Sequence, residues 1–385
     1  MDFILFNPNA DFTLRQAPAL DLAANDDRPT AEADLGKHLE SAFVAQAKLT
    51  AYAHEIAVAS FPKFTDQPDW QKKFETDLAT ARKNAIAWTT TLGPKIFAEV
   101  PQSIIGYGNL FTAGTQFILD IYKSGKPLSD VEKFEVKATF EEIRRELAYR
   151  KSQVQDLQVK LRDFSRLLTT DLGNLKAAEE AAKTESKLTE LESETIELKM
   201  DLLRAEIKLA NQKAAAYGIG FGVSLLVGVA ALAVVVATGG IAAPIICAIA
   251  VVGAGYTGYK FISASNEISA RNKDLAAEMT RLSAKKRYAA TLKLFCSSIK
   301  NVVAACAEAE KSFSDILQQW EVLDTRLAEV IRSIDEADKA GAPFMARIRL
   351  EVSKLAWDQL VDQATLFQRA TQGMKVERQD LPAVA

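Results

Sequence analysis

Residues 214–259 read AAAYGIGFGVSLLVGVAALAVVVATGGIAAPIICAIAVVGAGYTGY, and none of these 46 positions is Asp, Glu, Lys, Arg or His. Nine of the chain's 18 glycines fall here. A membrane-spanning helix takes ~20 apolar residues, and 217–237 and 241–261 each supply that length. The side chains expected to enter lipid are Tyr217, Phe221, Leu225, Leu226, Val229, Leu232 and Val235 on the first arm. On the second arm they are Ile241, Ile245, Ile246, Ile249 and Val252. Thr238, Gly239, Gly240 and Pro244 form the expected turn, and Gly-Gly suits a tight hairpin. Gly218, Gly220 and Gly222 at one base, with Gly253, Gly255 and Gly258 at the other, are placed as hinges. Lys213 and Lys260 bracket the segment on one side as snorkelling anchors, with Tyr256 and Tyr259 at the same boundary.

The β-branched residues crowding this segment leave a second conformation open. In water it could fold as a short β-tongue against the rest of the chain and be released later as helices.

The flanks are helical and charged. Ser129 with Glu132 three residues on is a capping box, and from there to about Gln212 there is no proline and one glycine, Gly173. Phe140, Ile143, Leu147, Val154, Leu157, Leu161, Phe164, Leu168, Leu172 and Leu175 fall at heptad spacing, and Leu188, Leu191, Leu198, Leu202 and Leu209 resume it. After the apolar segment, about 263–340 lacks both proline and glycine, with heptads at Ile316, Trp320, Leu323, Leu327, Val330 and Ile334. Unbroken, each run approaches ~110–130 Å at a rise of ~1.5 Å per residue. Gly173 is the expected weak point of the first.

Upstream, helices are expected over about 31–61, over about 69–92 ahead of Gly93-Pro94, and after Pro101. A last helix follows Pro343. The fold expected is all-α: an elongated bundle of long antiparallel helices with a hydrophobic head, a small β-tongue or helical hairpin, at one end. The domains read as an irregular N-terminal segment (1–30), a discontinuous helical tail (31–213 and 260–374), the head (214–259) and a C-terminal tail (375–385).

The remaining chemistry is thin. Net charge is −3, from 47 basic and 50 acidic residues, which gives no electrostatic case for nucleic acid. Cys247, Cys296 and Cys306 carry no metal or disulfide spacing and read as buried thiols. The only histidines, His38 and His54, are sixteen residues apart on one helix, too far to share a metal. No cofactor, metal or catalytic site is expected. Gly253-x-Gly255-x-x-Gly258 matches a dinucleotide fingerprint, but no second strand with an acidic end follows it. The N-terminus, MDFILFNPNADF, lacks a basic region and a long apolar core. The chain is therefore expected to be cytoplasmic or secreted without a cleavable signal peptide.

Very long helices with an uncharged, Gly-rich hairpin between the two longest resemble the α-helical pore-forming toxins of the cytolysin A and haemolysin BL superfamily, including bacterial two- and three-component cytotoxins. The resemblance runs from about Ala31 to Met374 and rests on the Ser129–Glu132 helix start, the head and the returning heptads. It implies a soluble subunit whose head opens at a target lipid membrane, inserts and assembles into a homo- or hetero-oligomer with related subunits.

The head's composition adds one expectation. A pore lining needs polar groups toward the lumen, and here only Ser224, Thr238, Thr257 and the tyrosines offer them, so this subunit should anchor in lipid while partners help line the channel. The alternatives are a resident membrane tether with a hairpin anchor and coiled-coil arms, a colicin-like channel, whose hairpin would lie nearer the C-terminus, and a dinucleotide enzyme.

Overall fold

Along α4 (Asp130–Ser186, 57 residues) the heptad residues become one face. Phe140, Ile143, Leu147, Val154, Leu157, Leu161, Phe164, Leu168 and Leu175 are all buried. The computed structural model describes residues 31–59, 61, 68–123, 126–218, 230–238, 241–251, 266–334, 342–372 and 374–380. The other described helices are α1 (Ala31–Val58), α2 (Asp69–Ala87), α3 (Gly93–Tyr122) and α5 (Glu190–Gly218). They are followed by α6 (Asn266–Arg281), α7 (Ala284–Ser333) and α8 (Ala342–Gln372). Among the described residues three strands, β1 (Ala230–Thr238), β2 (Ile241–Val251) and β3 (Met374–Asp380), make one small sheet.

The bundle's axis is α4 running antiparallel to α7. Arg144 meets Asp324 at 2.6 Å, Arg162 meets Glu310 at 3.7 Å, and Glu185 meets Lys285 at 3.0 Å, so the pairing covers nearly the full length of both helices. α1 also runs antiparallel to α7, with His38 Nδ1 3.5 Å from Asp315 and Phe61 packed on Phe295 at 5.2 Å between ring centroids. Among the described residues, α7 is the one helix long and apolar enough to cross a membrane, but 67% of its apolar window is buried. Its burial makes it the core helix. α8 seats Trp357 edge-on against Tyr107 of α3 at 4.7 Å and Phe367 against Phe43 of α1 at 4.9 Å.

Three readings of the helices change. First, α2 and α3 are continuous through a π-helical turn at Trp88–Leu92, and Pro101 lies inside α3. The wider π turn falls just ahead of Pro94, where a proline ring would otherwise press on the preceding turn. Trp88 fills the space, stacked on Phe164 at 4.8 Å, with its Nε1 donating to Thr50 Oγ1 at 3.0 Å.

Second, α4 runs straight through Gly173 and ends at Lys187, whose φ of 55° is left-handed. The end closes with backbone bonds from Leu188 N to Lys183 O and from Lys187 N to Thr184 O, a Schellman-type arrangement. α5 then starts on its own capping box. Thr189 Oγ1 accepts from Glu192 N, and Glu192 Oε2 accepts from Thr189 N.

Third, the returning run breaks between α6 and α7, where Ser283 Oγ accepts from Lys286 N as the N-cap of α7.

The break at Lys187 also resets the heptad phase. On α5 the buried face carries Ser193, Ile196, Met200 and Leu203, while Leu191, Leu198 and Leu202 point to solvent. Leu188 alone of the sequence-read leucines between 188 and 202 is buried. The expected leucine seam is the outer face because the helix restarts at an angle its predecessor does not set.

Candidate membrane-inserting head

The head begins where the two breaks meet. Lys286 Nζ bridges both carboxylate oxygens of Glu192, at 2.7 and 2.8 Å. Lys293 Nζ donates to Ser193 Oγ at 2.7 Å and lies 3.0 Å from Glu197. Glu185 accepts from Trp70 Nε1 at 2.6 Å and pairs with Lys285, and Lys183 pairs with Glu190. The partners Lys183 and Lys285 hold Glu190 and Glu185 below the ordinary carboxylate range; for Glu185 the Trp70 bond comes first.

These contacts fix direction. α4 reaches Cys296 through Glu179 and Lys285 through Glu185. α5 then doubles back along the start of α7, from Lys286 through Lys293 to Ser297, which Arg204 reaches at 3.2 Å. α6 runs beside α5, with Arg271 3.8 Å from Glu206. The hairpin is thereby carried back onto the bundle: β1 lies along α1, α5 and α7, and β2 along α1, α6 and α7.

β1 (AALAVVVAT) and β2 (IAAPIICAIAV) pair antiparallel from Ala230↔Ile249 to Thr238↔Ile241. That register leaves the two residues Gly239–Gly240 as the connection, and they lie outside the described residues. Of the expected inserting residues, Leu232 and Val235 are in β1, and Ile241, Ile245, Ile246 and Ile249 are in β2. Tyr217 and the hinge Gly218 are the last two residues of α5, which also contains Lys213. Phe221, Leu225, Leu226, Val229, Val252, Gly220, Gly222, Gly253, Gly255, Gly258, Tyr256, Tyr259 and Lys260 lie outside the described residues.

Two placements differ from the sequence reading. Pro244, grouped with the turn, stands inside β2 opposite Val235, and Thr238 is the last residue of β1. Residues 375–380, read as the start of the C-terminal tail, form β3 together with Met374, paired antiparallel with 245–251 on the other edge of β2. Among the described residues that ladder reaches Ile245, the neighbour of Pro244.

No group of three or more His, Cys, Asp or Glu able to hold a metal occurs among the described residues. Cys296 and Cys306 are free and buried, and burial pushes the Cys306 thiol up to about 12. Sequence reasoning missed Lys187, the Thr189–Glu192 box, Lys286 and β3. Of these, the Thr-x-x-Glu spacing was the one available signal.

The sequence pattern of the family described as Bacillus haemolytic enterotoxin (HBL) matches residues 32–216. No curated protein matches the chain. Among solved structures, it is similar to the soluble SmhA of the tripartite α-pore-forming toxin Smh from Serratia marcescens. That match has a TM-score of 0.69 and 16% identity, over 89% of this chain and 95% of that one. It is similar to the Bacillus cereus HblL1 toxin component at 0.65 and 15%, over 91% and 97%. A third, Motility Associated Killing Factor B from Vibrio cholerae, gives 0.67 and 14%, over 91% and 99%. Residues 32–216 thus carry the pattern of the Bacillus haemolytic enterotoxin (HBL) family, and the chain has the fold shared by these solved toxin components.

Proposed function

We propose that the chain is a pore-forming toxin subunit, soluble at first, that releases residues 214–259 from its bundle, inserts them into a target-cell membrane and assembles with related subunits. One observation supports this reading: within an uncharged segment long enough for two membrane helices, residues 230–238 and 241–251 pair as a hairpin against the bundle, whose chain folds back at Lys187 and Leu282–Ser283.

Stored as strands, the segment cannot cross lipid. A lone hairpin leaves its edge N–H and C=O groups without partners, and hydrocarbon supplies none. As two helices of about 20 residues, the same chain satisfies its own backbone and spans ~30 Å. The transition we propose is therefore hairpin to helices, with the fold-backs opening to carry them outward. Leu232, Val235, Ile241, Ile245, Ile246 and Ile249 enter with the segments around them, and Lys213 and Lys260 stop it at the headgroups. Its apolar character makes this subunit the lipid anchor, with partner heads lining the channel. The subunit acts after leaving its own cell. A resident tether would hold its hairpin in the bilayer, and it gives no reason to store strands on a bundle.

The test is liposome flotation and dye leakage with the purified chain, alone and with the products of neighbouring genes. Lipid binding alone, with stable large pores only in the presence of partners, is the expected result. Deleting 214–259 abolishes flotation and leaves a soluble helical body. Stable conducting pores from the chain alone would overturn the anchoring role, and flotation by the deletion variant would overturn the assignment of the head.

A further inference from the structure

The strand that closes the sheet comes from outside the head. β3 reads Met-Lys-Val-Glu-Arg-Gln-Asp and pairs along 245–251 of β2, so Lys375 stands opposite Ala250, Glu377 opposite Ala248, Arg378 opposite Cys247 and Asp380 opposite Ile245. Four charged residues therefore sit in register on the apolar arm. One residue, Gly373, separates β3 from α8, and α8 is anchored in the bundle through the buried Trp357, Leu360, Ala364 and Phe367.

This arrangement is incompatible with insertion. A strand bearing Lys375, Glu377, Arg378 and Asp380 cannot follow β2 into hydrocarbon, where each charge is expensive. Its tether to α8 also holds it to the bundle. While paired, it supplies backbone partners to an edge of β2 that would otherwise be open to other chains.

We propose that β3 is a strap: it holds the hairpin in its stored position, and its separation from β2 is an obligatory step before residues 214–259 enter lipid. This rests on the insertion reading above and adds the element that controls it. The strap also covers the β2 edge during storage, so its loss exposes that edge as well as freeing the hairpin.

The register provides a lock. Directly opposed residues of an antiparallel pair have Cα atoms about 4.5–5.5 Å apart, within the range a disulfide spans, and Cys247 already stands opposite position 378. The Arg378→Cys variant is oxidised with diamide, which takes up the two protons and two electrons of the thiol pair, and the 247–378 link is confirmed by mass spectrometry. Arg378→Ser is the control without the link.

We expect the linked protein to float with phosphatidylcholine liposomes at least tenfold less than the same variant after reduction, and the reduced variant to match Arg378→Ser. Linked protein that floats like the reduced form overturns the strap. If wild-type protein does not float under any condition, the insertion reading itself falls. The strap is then judged in solution by amide exchange on the chain ending at Gly373. Faster exchange confined to 245–251 and the hairpin supports it, and unchanged exchange there overturns it.

Discussion

Lys286 Nζ lies 2.7 Å from Oε1 and 2.8 Å from Oε2 of Glu192, so the first turn of α7 grips the first turn of α5 and pins the two fold-backs together. Glu192 also closes the Thr189 capping box. Glu192→Gln keeps part of the cap and loses the ion pair. For a pair this close to solvent the coupling is about 0.5 kcal/mol. A double-mutant cycle of Glu192→Gln with Lys286→Met, followed by thermal unfolding, should return that coupling.

Those contacts hold the Glu192 carboxyl below its ordinary value of 4.5, the Lys286 bond first and the Thr189 backbone bond next. A depressed folded-state value means stability present above the unfolded value and lost as pH falls through the folded one. The clasp therefore weakens on acidification below about pH 4.5. Over that interval Glu192→Gln should flatten part of the pH dependence of the unfolding midpoint; an unchanged slope would remove Glu192 from the clasp.

The second hinge contact is backbone. Lys187 holds φ 55°, ψ 36° at the end of α4, a conformation that costs a side-chain-bearing residue about 1 kcal/mol relative to glycine. Lys187→Gly should stabilise the folded-back form by about that amount and slow liposome insertion. A stopped-flow leakage rate equal to or faster than wild type would show that the turn at 187 does not open during insertion.

How far the sequence reveals this molecule depends on what each signal measures. The Ser129–Glu132 box was legible and is complete in the structure, Ser129 N donating to Glu132 Oε2 at 2.7 Å. So were the α4 and α7 heptads, because long apolar periods report burial whatever the partner. Heptad spacing was silent about the break at Lys187, since a left-handed residue need not be glycine. The Thr189–Glu192 box marked the restart, but its spacing also occurs within continuous helices. The apolar arms fit strands or helices equally, because β-branched residues without a polar face carry no period. β3 was illegible. Apolar and charged residues alternate only over Met374–Glu377, too short a run to mark a strand, and Arg378, Gln379 and Asp380 break it; it is a strand because β2 offers it an edge.

The phase reset on α5 can be tested directly. Ile196, Met200 and Leu203 are 0–2% exposed, against 74%, 61% and 39% for Leu191, Leu198 and Leu202. Each of Ile196→Ala, Met200→Ala and Leu203→Ala should cost about 2–5 kcal/mol by loss of packing and creation of a cavity. Each of Leu191→Gln, Leu198→Gln and Leu202→Gln should stay within about 0.5 kcal/mol. Chemical denaturation of the purified protein decides it, and the opposite ranking would restore a continuous α4–α5 heptad.

Asp171 is 3% exposed between α4 and α2 and accepts from Asn84 Nδ2 at 2.8 Å. Burial pushes its carboxyl above the ordinary value of 3.8, and the Asn84 bond opposes that. The folded state therefore holds this proton more tightly than the unfolded chain, and stability is lost as pH rises from about 3.8 through the folded value. Asp171→Asn should raise the unfolding midpoint at pH 7, with the gain vanishing below pH 4. Asn84→Ala strips the buried carboxylate of its donor and should cost about 1–3 kcal/mol at neutral pH. If Asp171→Asn lowers stability at pH 7, the ionised form is doing structural work that burial alone does not describe.

Two helical glycines should respond to alanine with opposite signs. At Gly173 an added Cβ meets nothing within 4 Å, so Gly173→Ala gains the helix-propensity difference, about 1 kcal/mol. At Gly108 the same atom would lie 2.3 Å from Val361 Cγ2 and 3.1 Å from Trp357 Cε3. Valine is stiff at χ1 and Trp357 is fully buried, so neither can swing aside, and α8 must shift away from α3. Overpacking of this kind costs about 1–3 kcal/mol, which outweighs the propensity gain. Because β3 follows α8 after one residue, loosening the α3–α8 seam should also slacken the strap. Gly108→Ala should therefore speed amide exchange at 374–380 as well as in α8, whereas Gly173→Ala should leave both unchanged. Exchange that rises in α8 but not at 374–380 would mean that β3 is held by β2 alone.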